Sequence, residues 1–243
     1  SATLDGEKLA AFLDAQRITS AGRSYPVSVS YFPARRDETL SMQMKRCLEQ
    51  TLPEQEGDAL IFLPGQREIN DVSALLQNSS VSDCNIISLY GEMPVEQQSA
   101  ALAPDPDGKR RIVLATNIAE SSVTLPGVRI VIDSGLAREP RFDPNSGFSR
   151  LQTTYISQAS ADQRTGRAGR VASGVCLRLW PKEQRLDVTR NPEINNVDLA
   201  ALALELAAWG SSKLRFVDAP PAGTFAAASS LLQSIGALDT NQS

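Results

Sequence analysis

Eight consecutive residues have types and spacing suited to phosphate chemistry: Gln163-Arg164-Thr165-Gly166-Arg167-Ala168-Gly169-Arg170. Residues three apart share a helix face, so Arg164, Arg167 and Arg170 can point the same way. A planar guanidinium fork matches phosphate oxygens and the charge that develops during phosphoryl transfer. Gly166 and Gly169 leave the neighbouring face bare for another backbone or a nucleotide, and Gln163 can orient a water. The plainer readings are a solvated Arg/Gly turn or an RNA-binding arginine-glycine run. Such runs are normally repeated and disordered, whereas this one is single and precedes a strand pattern at Val175–Trp180.

A second constellation follows the apolar run Arg111–Ala115. Thr116 or Asn117 can cap a helix that starts there, which would place backbone N–H groups and hydroxyls where a nucleic-acid phosphate could be held. Ser122 and Thr124 lie further along, close enough to serve a different ligand. Taken alone, capping is the commoner role of such residues.

Both constellations need a scaffold, and the apolar pattern supplies one. Val27–Phe32, Ala59–Leu63, Asn85–Tyr90, Arg111–Ala115, Val128–Ile132 and Val175–Trp180 read as strands. Helical stretches separate them: Asp37–Leu52 with Leu40, Met44, Cys47 and Leu48 on one face, Glu68–Gln77, and one after Met93. Apolar strands alternating with helices imply an α/β fold with a parallel sheet covered on both faces. Ligands of such folds bind beyond the carboxyl ends of the strands, so the loops after Leu63, Ala115, Ile132 and Ser157 are candidate sites. Turn residues at Phe142–Phe148 predict a projecting β-hairpin. After a boundary near 185–192, Val197–Trp209 reads as an amphipathic helix with Leu199, Leu202, Leu206 and Trp209 on one stripe. Thr224–Ile235 reads as a second helix.

Composition narrows the chemistry. The 243 residues are 42% hydrophobic and 21% charged, with a net charge of −4 and a sequence pI near 5.0. That balance argues against a globally basic nucleic-acid coat but leaves room for a local basic groove. With no histidine, serine–histidine, cysteine–histidine and histidine acid/base mechanisms are excluded. Cys47, Cys84 and Cys176 show no zinc spacing and read as small buried hydrophobes in a reducing compartment. No apolar run reaches the roughly 20 residues of a membrane span, so the expected location is cytoplasmic.

Together these residues resemble the DEAH-box helicases of superfamily 2. Ser1-Ala2-Thr3 is similar to helicase motif III and Leu60–Ile69 to motif IV. Ala115–Thr124 is similar to motif V and Gln163–Arg170 to motif VI. Gly135–Arg138, Ile156–Ser160 and the ending Asp218–Leu238 resemble most the bacterial HrpB group. The resemblance implies a three-layer RecA-like parallel sheet followed by a small winged-helix domain. Its divisions would be residues 1–24 (motif III remnant and linker), 25–185 (second RecA-like domain) and 190–243 (winged helix). It implies that Arg167 and Arg170 act as fingers on the γ-phosphate, with Thr124 also at the nucleotide. Gln163 and Ser122 would serve the attacking water. Thr116, Asn117, Gly65, Gln66, Arg138 and Arg141 would contact RNA, single-stranded or at a duplex end, and the hairpin Phe142–Tyr155 would guide or separate strands. Pro126 departs from the aspartate that many eukaryotic members place on the ribose, which implies looser sugar and base selectivity.

No G-x-x-x-x-G-K-[ST] loop and no Asp-Glu-x-His motif occurs in the chain. The family carries both on a first RecA-like domain, upstream of motif III. ATP and Mg²⁺ would therefore be held largely by that domain in cis, and this chain alone is expected neither to hydrolyse nor to bind ATP tightly. A different class of function, a non-hydrolysing helicase-like scaffold, would be marked by degenerate motifs upstream of Ser1. The contacts named above are to phosphates and do not by themselves separate RNA from DNA.

Overall fold

Continuous apolar runs bounded by turns form the central strands here because both faces of each find cover. The computed structural model describes residues 6–19, 24–121, 123, 125–143, 146–210 and 214–239. The elements begin with α1 (Gly6–Leu13), β1 (Val27–Tyr31), α2 (Leu40–Thr51), β2 (Asp58–Phe62) and α3 (Gln66–Leu76). They continue with β3 (Asn85–Leu89), α4 (Val95–Leu102), β4 (Arg111–Ala115), the short α5 (Ile118–Ser121) and β5 (Val128–Asp133). Next come β6 (Leu136–Asp143), β7 (Phe148–Tyr155), α6 (Gln158–Thr165), a 3-10 turn at Gly166–Gly169 and β8 (Gly174–Arg178). The tail holds α7 (Ala200–Trp209) and α8 (Ala222–Ser234).

Six strands make one sheet in the order β1-β8-β5-β2-β4-β3, all neighbours parallel. Alternation sends successive residues to opposite layers. Ile61, Ile112, Leu114, Ile130 and Ile132 pack with Met44, Cys47 and Leu48 of α2 and with Ile69, Val72 and Leu76 of α3. Leu60, Phe62, Val113, Ala115 and Val131 face the other way, against Ala101, Ala119 and Ala168. Each fully buried aliphatic or aromatic side chain contributes about 1.5–3 kcal/mol relative to exposure, which makes this two-sided layer the main source of stability. Thr39 caps α2 by accepting from the Met42 amide at 3.3 Å. The chain visits β4 on one side of β2 and then β5 on the other, so the carboxyl ends of β4, β2 and β5 border a switch point.

The chain forms two compact units, one containing Thr19–Arg138 and Thr153–Arg190, the other Leu4–Ile18, Glu139–Gln152 and Asn191–Ser243. In the second, the Arg215 guanidinium lies 4.9 Å from the centre of the Phe12 ring and donates to the Phe12 carbonyl at 2.8 Å. Lys8 also pairs with Asp218 there. Leu199, Ala203, Ala228 and Leu232 form a small core between α7 and α8. No strand occurs beyond residue 190 among the described residues. The stripe expected on α7 needs correction. Its buried line is Leu199, Ala203 and Leu206, while Trp209 at the helix end is 74% exposed. The hairpin is longer than its turn residues suggested, since β6 starts at Leu136, directly after the Ser134-Gly135 turn.

Candidate functional site

Motif-like residues 163–170 cross the layer rather than sitting at one end of it. Ser157 caps α6 at the carboxyl edge, accepting from the Ser160 amide at 3.2 Å, while the Ile156 amide donates to Gly135 at 2.9 Å. Beyond Thr165 the helix tightens into the 3-10 turn, which ends against the amino ends of β1 and β8. There the Tyr25 amide donates to the Gly169 carbonyl at 2.8 Å, and Gly174 donates to Pro26 at 3.1 Å. A Cβ on Gly169 would lie 2.5 Å from the Tyr25 carbonyl oxygen, so this glycine is required by internal packing. A Cβ on Gly166 would meet nothing within 4 Å.

The change of helix type separates the three arginines that spacing alone had grouped. Arg164 is 1% exposed and points inward. Its Nη1 donates to Asp133 Oδ1 at 2.8 Å and its Nε to Glu120 Oε2 at 3.1 Å, with the guanidinium 4.7 Å from the centre of the Phe62 ring. Burial alone disfavours its charge, but Asp133 and Glu120 outweigh that and raise its pKa above the ordinary arginine value. Arg164 is therefore a structural cation, a correction to the expectation that all three arginines can point the same way.

Arg167 is also buried, at 5% exposure, yet it is held by main-chain oxygens. Its Nε donates to the Glu120 carbonyl at 3.1 Å, Nη2 donates to the same oxygen, and Nη1 donates to the Val123 carbonyl. Burial, together with the neighbouring Arg170 charge, lowers its pKa to about 10, with Glu120 opposing the shift. It stays protonated near neutrality. Arg170 is exposed at the end of the turn, and Gln163 is half-buried on α6. Glu120 links the pair, its carboxylate on Arg164 and its carbonyl on Arg167.

The carboxyl edge gathers a different set. Arg138, on β6, folds over Gly65 so closely that a Cβ there would lie 2.7 Å from the guanidinium carbon. Its Nη2 reaches both Glu68 carboxylate oxygens at 3.3 Å. Gln66 Nε2 donates to the Tyr90 hydroxyl at 2.8 Å, and the Thr116 amide donates to the Leu89 carbonyl at 3.1 Å. Gly65, Gln66, Thr116 and Arg138 thus meet at the ends of neighbouring strands, with Asn117 exposed beside Thr116. The amides expected to be unengaged near Thr116 are partly used. Ala119 donates to Thr116 at 3.2 Å and Glu120 to Asn117 at 2.9 Å, closing local turns. Arg141 lies on the hairpin and donates to Gln152 at 3.3 Å. Ser122, Thr124 and the Ser1–Thr3 stretch fall outside the described residues.

Sequence reasoning passed over Glu120, Asp133, Glu68 and Tyr90. A carboxylate ending the apolar run Val128–Ile132 was a usable signal, because a buried charge needs a partner. Pro126 lies just before β5, at the amino edge, where its carbonyl accepts from Arg111 at 2.5 Å. Cys47 and Cys176 are buried free thiols, with burial pushing each up to about 12. Among the described residues no three Cys, Asp or Glu side chains converge to hold a metal ion, and no helix is long and apolar enough to cross a membrane. The arrangement offers fixed guanidinium donors near the amino edge and a mixed polar surface at the carboxyl edge.

Similarity to known proteins points the same way. The sequence model of the family described as Helicase conserved C-terminal domain matches residues 43–172. The chain is 41% identical over 245 residues to the ATP-dependent RNA helicase HrpB of Escherichia coli (strain K12), covering 98% of this chain and 30% of that protein. It is 38% identical over 251 residues to an ATP-dependent RNA helicase HrpA homolog of Haemophilus influenzae, covering 100% of this chain and 19% of that protein. A crystal structure of the Escherichia coli DEAH/RHA helicase HrpB superposes with a TM-score of 0.92 at 40% identity, covering 98% of this chain and 31% of that one. The chain thus spans less than a third of the relatives it matches.

Proposed function

The chain belongs to the helicase conserved C-terminal domain family and is homologous to HrpB-type DEAH/RHA helicases, and we propose that within a longer protein it acts as the second RecA-like domain of an ATP-dependent RNA helicase. The observation that carries this reading is Arg167. It is a buried guanidinium oriented by the Glu120 and Val123 carbonyls, next to an exposed Arg170 and a Gly166 with open space above it. A buried guanidinium fork held in place by main-chain oxygens, beside a second arginine, suits the oxygens of an incoming polyphosphate.

In this mechanism a first RecA-like domain in cis holds ATP, and closure brings Arg167 and Arg170 to the γ-phosphate. They stabilise the charge that builds on its oxygens, while Gln163 and Ser122 orient the attacking water and Thr124 adds a nucleotide contact. The described residues supply no cation cage, so Mg²⁺, which neutralises phosphate charge when bound, would be held from the other domain. Gly65, Gln66, Thr116, Asn117 and Arg138 at the carboxyl edge, with Arg141 on the hairpin, would grip RNA. Closing and reopening then displaces that grip relative to the first domain. The division into residues 1–24, 25–185 and a winged-helix 190–243, and a cytoplasmic setting, belong to the same proposal.

Arg170→Ala in a longer protein that carries this chain should lower RNA-stimulated ATP hydrolysis by about 10³-fold or more while RNA affinity is kept. Undiminished turnover in that variant would overturn the proposal.

A further inference from the structure

Tyr90 directly follows β3 at the carboxyl edge, and sequence reasoning gave it no role. Its partly buried ring packs against the core cluster beneath α2 and α3, which restrains the side chain. There the hydroxyl accepts from Gln66 Nε2 at 2.8 Å. A phenol that accepts in this way keeps its own hydrogen to donate, and the Gln66 amide keeps its carbonyl oxygen to accept. Among the described residues neither is engaged by another side chain. The pair therefore presents one donor and one acceptor side by side.

That combination discriminates between the groups of a nucleic-acid strand. A phosphate oxygen only accepts, and a deoxyribose offers nothing at its 2′ position. A ribose 2′-hydroxyl both donates and accepts, and it is the group by which proteins tell RNA from DNA. Position supports the match. β2, β4 and β3 are consecutive in the sheet, so Gln66, Thr116 and Tyr90 follow one another across the edge at about 4.8 Å per strand. The Thr116 amide bonds to Leu89, the residue immediately before Tyr90.

We propose that the Gln66–Tyr90 pair reads the 2′-hydroxyl of a strand lying on this edge and gives the chain its preference for RNA over DNA. The inference rests on the RNA-grip reading above and adds a sugar selectivity that phosphate contacts cannot supply.

The test is fluorescence anisotropy at low salt, with this chain titrated onto labelled single-stranded oligouridylate and onto oligodeoxyuridylate of equal length, which differ only at the 2′ position. Wild type should favour the ribo strand. Tyr90→Phe keeps the ring and its packing, and should bind the ribo strand roughly threefold to tenfold more weakly with the deoxy strand unchanged. Gln66→Leu, which also removes a residue of the grip, should weaken the ribo strand more than the deoxy strand. A ribo-to-deoxy ratio untouched by Tyr90→Phe, or an equal loss on both strands, overturns the sugar-reading role while leaving the RNA grip intact. Wild type that binds neither strand overturns both.

Discussion

The two ends of the α6 segment hold buried arginines in opposite ways. At the helical end, Arg164 lies between Asp133 and Glu120 over the Phe62 ring, so a cation inside the layer meets two carboxylates. At the 3-10 end, Arg167 bonds to carbonyl oxygens, and burial and the Arg170 charge outweigh the pull of Glu120 and lower its pKa. The first arrangement is complete without any ligand. The second holds its charge by main-chain oxygens, with no carboxylate bonded to Arg167 among the described residues. A buried charge without an ionic partner is costly, and sites that retain one commonly bind or transform something of opposite sign. Only Thr165 and Gly166 thus separate an arginine neutralised by carboxylates from the arginine that the proposed function assigns to a phosphate.

The sharpest way to break that contrast is to remove each cation in turn. Arg164→Met should lower unfolding free energy by about 3–5 kcal/mol, because Asp133 is left charged at zero exposure. Asp133 already carries one oxygen, Oδ2, with no hydrogen-bond partner among the described residues, so it has little in reserve. Arg167→Met should change stability by no more than about 1 kcal/mol in either direction, since it removes carbonyl bonds and an unfavourable charge together. Urea titration in a Trp209→Phe background, where the buried Trp180 is the reporter, measures both. Equal losses would erase the distinction. Adding Asp133→Asn to Arg164→Met should recover part of the loss, as expected when two residues share one interaction.

How much of this was legible in the sequence depends on what each residue buries. The strand runs were readable because their apolar residues need cover on both faces, and Arg111–Ala115 matches to the residue. The edges differ by a residue or two, where a strand passes into a turn. The division among Arg164, Arg167 and Arg170 was not readable from one-dimensional spacing. It follows from the tightening at Gly166–Gly169 and from Gly169 packing on Tyr25, both set by tertiary contact. Tyr90 escaped notice for a similar reason, since its partner lies 24 positions away on another strand's exit. Trp209 misled because helical periodicity continues to the end of α7 after its packing partner has run out.

A smaller effect sharpens the role of the residue joining the two ends. Glu120→Gln weakens the carboxylate side of the link and leaves the main-chain carbonyl on Arg167. Its side chain is 16% exposed, and Asp133 still faces Arg164, so the loss should be about 1.5–3 kcal/mol, the range for a hydrogen bond to a charged group. The same urea titration decides it. A loss as large as that of Arg164→Met would mean that Glu120, rather than Asp133, carries the pair.

The smallest effect concerns a third arginine, Arg46, paired like Arg164 but near solvent. Its Nε and Nη2 bond the two Glu38 oxygens at 2.7 and 2.6 Å, and its guanidinium lies 4.2 Å from the centre of the Phe32 ring. The Arg46 hydrogen bonds, opposed by partial burial and helped by the Arg35 amide, hold the Glu38 carboxyl down at about 2. A carboxyl depressed by folding contributes its stability above its unfolded value, near 4.5, and loses it as pH falls toward 2. Wild type should therefore lose a component between those limits that Glu38→Gln lacks. Solvent screens such a pair, so the difference in melting temperature should not exceed about 2–4 °C. Parallel melting curves for the two proteins across that acid range would show the component as a narrowing gap. A gap that stays constant would mean the pair adds nothing that titrates, and that burial, rather than pairing alone, is what makes Arg164 indispensable.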